Sequence, residues 1–221
     1  MHVGILGGTG PAGSGLAARL ADAGLEVVIG SRSRERAQQT CEELAKKWPE
    51  RNLPLEAGDN LRAAAAEVVV VATPWDAAAV TVASVSTRLT GKVVISMANA
   101  LAKVGDEFEP LVPPRGSVAA HVQSAAPGAL VAAAFHHLPA RALANLNTPI
   151  DADVLVCSDH KQAFEQTAEL VELIPNLRPL NAGSLSNAAP IEAVTAVLLQ
   201  LNVRYKTHAA VRLTGIQLPG K

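Results

Sequence analysis

The chain has 221 residues, 49% hydrophobic and 18% charged, which supplies a packed core and excludes a stapled mini-protein or a disordered chain. Nineteen basic against twenty acidic side chains give a formal charge of -1, and only six aromatics are available to stack on bases. That balance argues against a nucleic-acid partner and toward small neutral-to-anionic ligands. The opening MHVGILGGTG lacks the charged start and apolar run of a secretory leader, and no stretch reaches the roughly 20 apolar residues of a membrane span. The expected location is the cytoplasm, with no membrane partner. Cys41 and Cys157 stand far apart with no CxxC, which reads as reduced, packed thiols.

In chain order, short Val/Ile-rich runs alternate with helical patterns, the sequence form of a parallel sheet covered by helices. His2–Leu6 reads as a strand. Residues 11–23 read as a helix, because Pro11 suits a first turn, Leu16 and Leu20 recur at helical spacing, and Gly24 stops it. A strand at 26–30 and a helix at 33–47 follow, with Ser33 as its cap and Trp48-Pro49 as its end; 53–56 is a short strand. Three runs, 67–72, 92–96 and 130–135, are dominated by Val and Ala and suit strands buried on both faces. They lead into Thr73-Pro74-Trp75, Met97-Ala98-Asn99 and His136-His137-Leu138-Pro139, and in open α/β sheets ligands collect beyond such carboxyl ends. Residues 105–116, rich in Pro and acid, read as surface connection. Further on, the pattern gives a strand at 153–157, a helix at 161–173 and a long helix from about 187 to 208.

Gly8, Gly10 and Gly13 form GxGxxG between the first strand and the first helix, the context of a dinucleotide site. There the first glycine makes the tight turn, the second lets a pyrophosphate approach the backbone, and the third packs helix on strand, with the helix N-terminus toward the phosphates. No Lys-Ser or Lys-Thr follows Gly13, so a P-loop is excluded. At the end of the second strand an NAD site would place an acid for the ribose hydroxyls, but the sequence there is Gly30-Ser31-Arg32. Ser31, with Arg32 and Arg34 or Arg36, suits the extra phosphate of NADP.

His136 and His137 lack the partners of a metal site, and neighbours on a strand end point to opposite sides, so one is expected on the pocket and the other packed or solvated. Trp75 is either a wall for a planar ligand or a core aromatic. No GxSxG or Ser/His/Asp spacing occurs, which sets acyl transfer aside. No acid follows Glu192, whereas Arg204, Lys206, Arg212 and Lys221 do; this stretch meets an anionic second substrate or is a solvated helix face.

Five blocks, MHVGILGGTGPAG, VVIGSRSRERA, VATPWDAA, AAFHHLPARALANL and LRPLNAGSLSNAAPIEAVT, resemble in order and spacing the NADPH-dependent reductases of coenzyme F420. The resemblance spans nearly the whole chain. It implies an α/β fold, a Rossmann-type doubly wound parallel sheet at 1–150 with a small C-terminal α/β domain at 151–221 covering the hydride-transfer cleft. It implies NADP(H) and the deazaflavin coenzyme F420 as cofactors, exchanging a hydride. NADP would lie on Thr9, Gly10, Pro11 and Ala12 with Ser31, Arg32 and Arg36 at its 2′-phosphate, and Trp75, Asn99 and Ala140 along nicotinamide and ribose, beside Thr73 and Pro74. The deazaflavin would lie near His136, Pro139 and Ala210.

Such a reaction needs no nucleophile, metal or proton-transfer residue, since positioning two hydride carriers is the main contribution. Two alternatives stay open: an NADPH-dependent reductase of a flavin, ferric chelate or imine, and a non-catalytic NADP-binding protein. The apolar helix around 191–203 leans toward a homodimer.

Overall fold

A computed structural model describes residues 1–217. β1 (His2–Leu6) passes through the glycine loop into α1 (Pro11–Asp22), which Pro11 opens. β2 (Glu26–Ser31) precedes α2 (Arg34–Lys47), whose first turn is capped by Ser33, its hydroxyl accepting the Arg36 N–H at 3.1 Å. β3 (Leu55–Asp59) and the single turn α3 (Asn60–Ala63) lead to β4 (Val68–Val71), α4 (Trp75–Val85) and β5 (Val93–Ser96). A hairpin of β6 (Leu101–Val104) and β7 (Glu107–Pro110) comes next, then α5 (Val118–Ala125), β8 (Leu130–Ala133) and α6 (Ala140–Leu143). β9 (Ala152–Ser158), α7 (Lys161–Glu172), β10 (Leu177–Asn181) and α8 (Ala188–Tyr205) complete the chain. No described helix is long and apolar enough to cross a membrane.

Eight strands form one sheet in the order β10-β9-β8-β5-β4-β1-β2-β3. Side chains alternate between its two faces with the period of two that strands impose. Val27, Ile29, Val68, Val70, Val93 and Ile95 enter the apolar layer that includes residues of α1, α2 and α7. Their neighbours Val28, Val69, Val71 and Val94 enter the layer that includes residues of α3, α4 and α5. Burial on both faces is why these strands read as unbroken apolar runs.

The last two strands depart from a purely parallel arrangement. β9 pairs antiparallel to β8, Ala132 opposite Ser158 and Ala133 opposite Cys157, and β10 lies parallel to β9 at the edge. The β9-α7-β10 unit therefore continues the main sheet across residue 150 instead of building a sheet of its own. Pro179 in β10 carries no N–H and is accommodated because that strand is an edge. Residues 105–116 are not all connection: Val104 pairs with Glu107 across a two-residue turn in which Gly105 adopts a φ of 60°.

Candidate functional site

β1 and β4 are neighbours, yet the chain leaves β1 toward β2 and β4 toward β5, so their carboxyl ends flank a crevice. The glycine loop fills one wall. The left-handed turn belongs to Gly7, at φ 69°, rather than to Gly8; a Cβ on Gly7 would also stand 2.5 Å from Thr73 Cγ2. Gly8 is needed for proximity: its N–H donates to Gly30 O at 2.9 Å, and a Cβ there would meet Ile5 O at 3.1 Å. Gly13 seats α1 on the sheet, since a Cβ would meet Ala72 Cβ and Gly8 Cα at 3.0 Å.

Gly10 is different. It has an ordinary extended conformation, φ −76° and ψ 163°, and a Cβ would approach nothing nearer than Gly7 O at 3.9 Å. Among the described residues nothing asks for glycine at this position, so the bare backbone leaves room for a ligand. Among the described residues no side chain caps α1, Pro11 has no N–H, and the Ala12 and Gly13 N–H groups have no partner within the helix. Beside Thr9, these donors make an anion site suited to a pyrophosphate.

At the end of β2, Ser31 is buried, and its hydroxyl accepts the Ser33 N–H at 3.3 Å. Arg32 and Arg36 are exposed, and no ion pair engages either among the described residues. Arg34 instead borders a shallow cleft with Glu56, Asp59 and Arg62. The acid facing Ser31 across β3 is Asp59, which is committed to capping α3 through the Arg62 N–H at 2.7 Å. Among the described residues these two guanidinium groups are available to an anionic ligand, and the residues present fit NADP.

The strand-end loops supply the remaining walls. The Thr73 hydroxyl, beside exposed Pro74, is buried without a protein partner among the described residues. Trp75 opens α4, half-buried against the core layer beneath that helix. Asn99 is a strut: its Nδ2 donates to His136 O at 2.7 Å, and its Oδ1 accepts the Thr195 hydroxyl of α8 at 3.3 Å. Both histidines are buried, their rings edge-on at 5.0 Å. His137 packs against β9, where Nε2 lies 3.1 Å from both Asp153 O and the Leu155 N–H. His136 has neither ring nitrogen paired among the described residues. Burial drives its pKa down to about 3, with His137 beside it acting in the same direction, so the imidazole is neutral. His136 thus sits behind the site instead of on an open wall.

Pro139 and Ala140 border an open cleft of about 580 Å³ between the start of α6 and the end of α8, with Phe108, Leu199 and Val203 as apolar lining. Ala210 is not in it. Ala210 borders an adjoining cleft of about 290 Å³, which shares Arg141 and His208 with the first. Arg212, an expected ligand for an anionic substrate, is instead paired with Asp151 at 3.4 Å and Asp153 at 3.3 Å. Asp153 also accepts two hydrogen bonds from Arg178, at 2.6 and 2.8 Å, and one from the Leu213 N–H at 2.7 Å. Burial would raise its pKa, but Arg178, that N–H and Arg212 together hold it low. Lys221 lies outside the described residues.

Two supporting residues carried no motif. Arg19 of α1 is buried, and its guanidinium donates to the carbonyls of Ala142, Leu143, Asn145 and Thr148, tying α6 and the loop after it to α1. Glu192 of α8 accepts the Val118 and Ala119 N–H groups at 2.8 and 3.1 Å, capping α5 from another element. The helical pattern around Arg19 showed which turn it occupies, but the carbonyls it serves are more than 120 residues away.

Residues 2–100 match the family of coenzyme F420-dependent NADP oxidoreductases. The F420-dependent NADP reductase of Methanothermobacter thermautotrophicus is 36% identical over 226 residues, covering 98% of this chain and 96% of that protein. The chain belongs to the F420-dependent NADP reductases. The enzyme of that name from Methanocaldococcus jannaschii is 34% identical over 224 residues, covering 99% of this chain and all of its own length. Among solved structures, a candidate F420-dependent NADP-reductase from Arthrobacter sp. FB24 superposes with a TM-score of 0.82 at 24% identity, over 97% of this chain and 99% of that one. An imine reductase from Bacillus cereus shares the fold at a TM-score of 0.60 and 17% identity, over 93% of this chain and 63% of that one.

Proposed function

We infer that the protein catalyses hydride exchange between NADP(H) and the deazaflavin coenzyme F420, as expected of its reductase family. The observation that carries the NADP half is Gly10, a glycine the protein's own packing does not require, at the mouth of an uncapped helix and on the same crevice side as free Arg32 and Arg36. In this reading Gly8 to Gly13 hold the pyrophosphate, and Ser31, Arg32 and Arg36 hold the 2′-phosphate. Thr73, Pro74, Trp75 and Asn99 border nicotinamide and ribose, and the deazaflavin enters the cleft at Pro139 and Ala140.

When both are bound, the reduced nicotinamide would supply a hydride to the oxidised deazaflavin ring, and in the reverse direction the oxidised nicotinamide would accept one from the reduced deazaflavin. The protein's part is to hold the two rings face to face, and orientation of this kind is worth about 7–11 kcal/mol in favourable cases. Arg19 fixes the α6 wall to α1, while Asn99 and Thr195 fix the β5 and β8 loops to α8. Neutral, buried His136 leaves the site without a proton donor of ordinary acidity at that position. The described part of segment 151–221 serves in this reading as the cover of the cleft, chiefly through α8.

Following deazaflavin absorbance with NADPH and the purified protein tests the assignment; stoichiometric reduction is expected, and its absence with active coenzyme contradicts it. A homodimer belongs to the same reading, supported by exposed Val197, Val203 and Tyr205 on α8 and Val112 beyond the hairpin. Sedimentation velocity checks it, with twice the chain mass expected. A cytoplasmic location suits a reaction between two diffusible carriers.

A further inference from the structure

The cleft at Pro139 and Ala140 is apolar on its floor and basic at its edge. Arg141, Lys206 and His208 border it, and among the described residues no Asp or Glu does. The nearest acid on the adjoining cleft is Asp151, which is occupied by Arg212 at 3.4 Å. On β7, Glu107 and Glu109 flank Phe108 in sequence, and strand alternation turns them to the face opposite the one Phe108 presents.

Lys206 is placed with backbone strain. It is the C-cap of α8 and adopts the left-handed conformation, φ 50° and ψ 47°, a position where glycine is the usual residue. The turn is held by Asn202, whose carbonyl accepts the Thr207 N–H at 3.2 Å and whose side-chain oxygen accepts the Ala209 N–H. A lysine where glycine would be more comfortable, at the edge of a cleft and on a turn pinned from the helix, is an arrangement that stability alone does not select.

We propose that Arg141, Lys206 and His208 form a subsite for the anionic tail of the second substrate, its phosphate and carboxylate groups, while the planar ring occupies the apolar floor. The proposal rests on the placement of the deazaflavin in this cleft. Recognition there is electrostatic and hydrogen-bonded at the edge, so the tail adds affinity without touching the reacting carbons. The subsite replaces Arg212, whose charge the Asp151 and Asp153 carboxylates already use.

The test is equilibrium binding of oxidised F420 to the full-length protein without NADPH, compared with the deazaflavin head group that lacks the phosphate and glutamyl tail. The wild-type protein binds the complete coenzyme more tightly than the head group. In Lys206→Gly and in Arg141→Ala that preference shrinks by about 10-fold each, the loss expected of one charge-assisted contact. Lys206→Gly also melts at the same or a higher temperature, because glycine relieves the left-handed strain. Arg204→Ala, an exposed basic change on the same helix, retains the wild-type preference. An unchanged preference in both Lys206→Gly and Arg141→Ala overturns the subsite. Ala140→Phe separates this failure from that of the ring placement: if filling the cleft leaves head-group binding intact, the ring lies elsewhere and both ideas fall. If it abolishes head-group binding while the tail preference ignores Lys206 and Arg141, only the subsite falls.

Discussion

Arg19 in α1 donates from Nε to the carbonyl of Leu143, 124 positions later, at 3.1 Å. With its other three carbonyl partners it joins the helix behind the glycine loop to the segment that begins at Pro139 and Ala140. Close approach adds to this, since a Cβ on Gly15 would stand 2.9 Å from Leu143 Cβ. Replacement by methionine keeps apolar volume but strands the carbonyls, each at roughly 1–3 kcal/mol if it finds no water. Arg19→Met is expected to lose about 2–4 kcal/mol of stability in urea unfolding and to lower kcat more than it raises the KM for NADPH. Arg19→Lys, which retains a donor, should recover part of both.

The two glycines that flank the helix start predict opposite phenotypes. Gly10→Ala meets only open space in the protein, so its melting temperature should stay within about 2 °C of the wild type, a shift of under roughly 0.5 kcal/mol. NADPH affinity should nevertheless fall at least about 10-fold, since the methyl group intrudes where the phosphates approach. Gly13→Ala should instead destabilise the fold, because its Cβ meets Ala72 and Gly8 at 3.0 Å. Differential scanning fluorimetry with and without NADPH reads both effects.

In the proposed reading, cofactor choice follows from the arginines. Arg32→Ala removes one charge-assisted contact, about 1.5–3 kcal/mol, so NADPH should weaken roughly 10- to 100-fold while NADH changes little. Parallel steady-state kinetics with the two dinucleotides check this. Equal losses for both would place the arginine away from the 2′-phosphate.

Glu192 makes stability depend on pH. Burial raises its pKa to about 7, against the lowering effect of the Val118 and Ala119 N–H groups. A folded-state pKa above the unfolded value, about 4.3, means that the folded protein holds this proton more tightly. The contribution is therefore complete below about pH 4 and is lost as pH rises toward and through 7, on the order of 3 kcal/mol in all. Melting curves of Glu192→Gln should lack this component and show a flatter profile between pH 5 and 8 than the wild type. An equally steep profile in the variant would assign the slope to other groups.

Much of the sheet was legible because Val/Ile/Ala runs between helix signals describe strands buried on both faces, and their carboxyl ends located the crevice. The antiparallel turn of β9 was not legible, since the run Ala152–Ser158 is equally apolar whichever way it points. β10 was hidden by Pro179, which argues against a strand unless the strand is known to be an edge. The β6-β7 hairpin was masked by the acid and proline around its Gly105-Asp106 turn. For the proposed site, local chemistry points to the glycines and the Ser31-Arg32 pair, whereas the use of a charge depends on partners distant in sequence. Arg212 is engaged by Asp153, 59 positions earlier, a pairing that no local pattern shows. Lys206 was only one of several late basic residues until the left-handed turn singled it out.

The most direct test of the account is the fate of hydrogen at the reacting carbon of NADPH. With NADPH deuterated at C4 on the transferred face and F420 in ordinary water, mass spectrometry of the reduced deazaflavin should find one deuterium per molecule and none in solvent. Chelators should leave that result unchanged. Deuterium recovered mainly in water would contradict direct hydride transfer between two rings held together in this cleft.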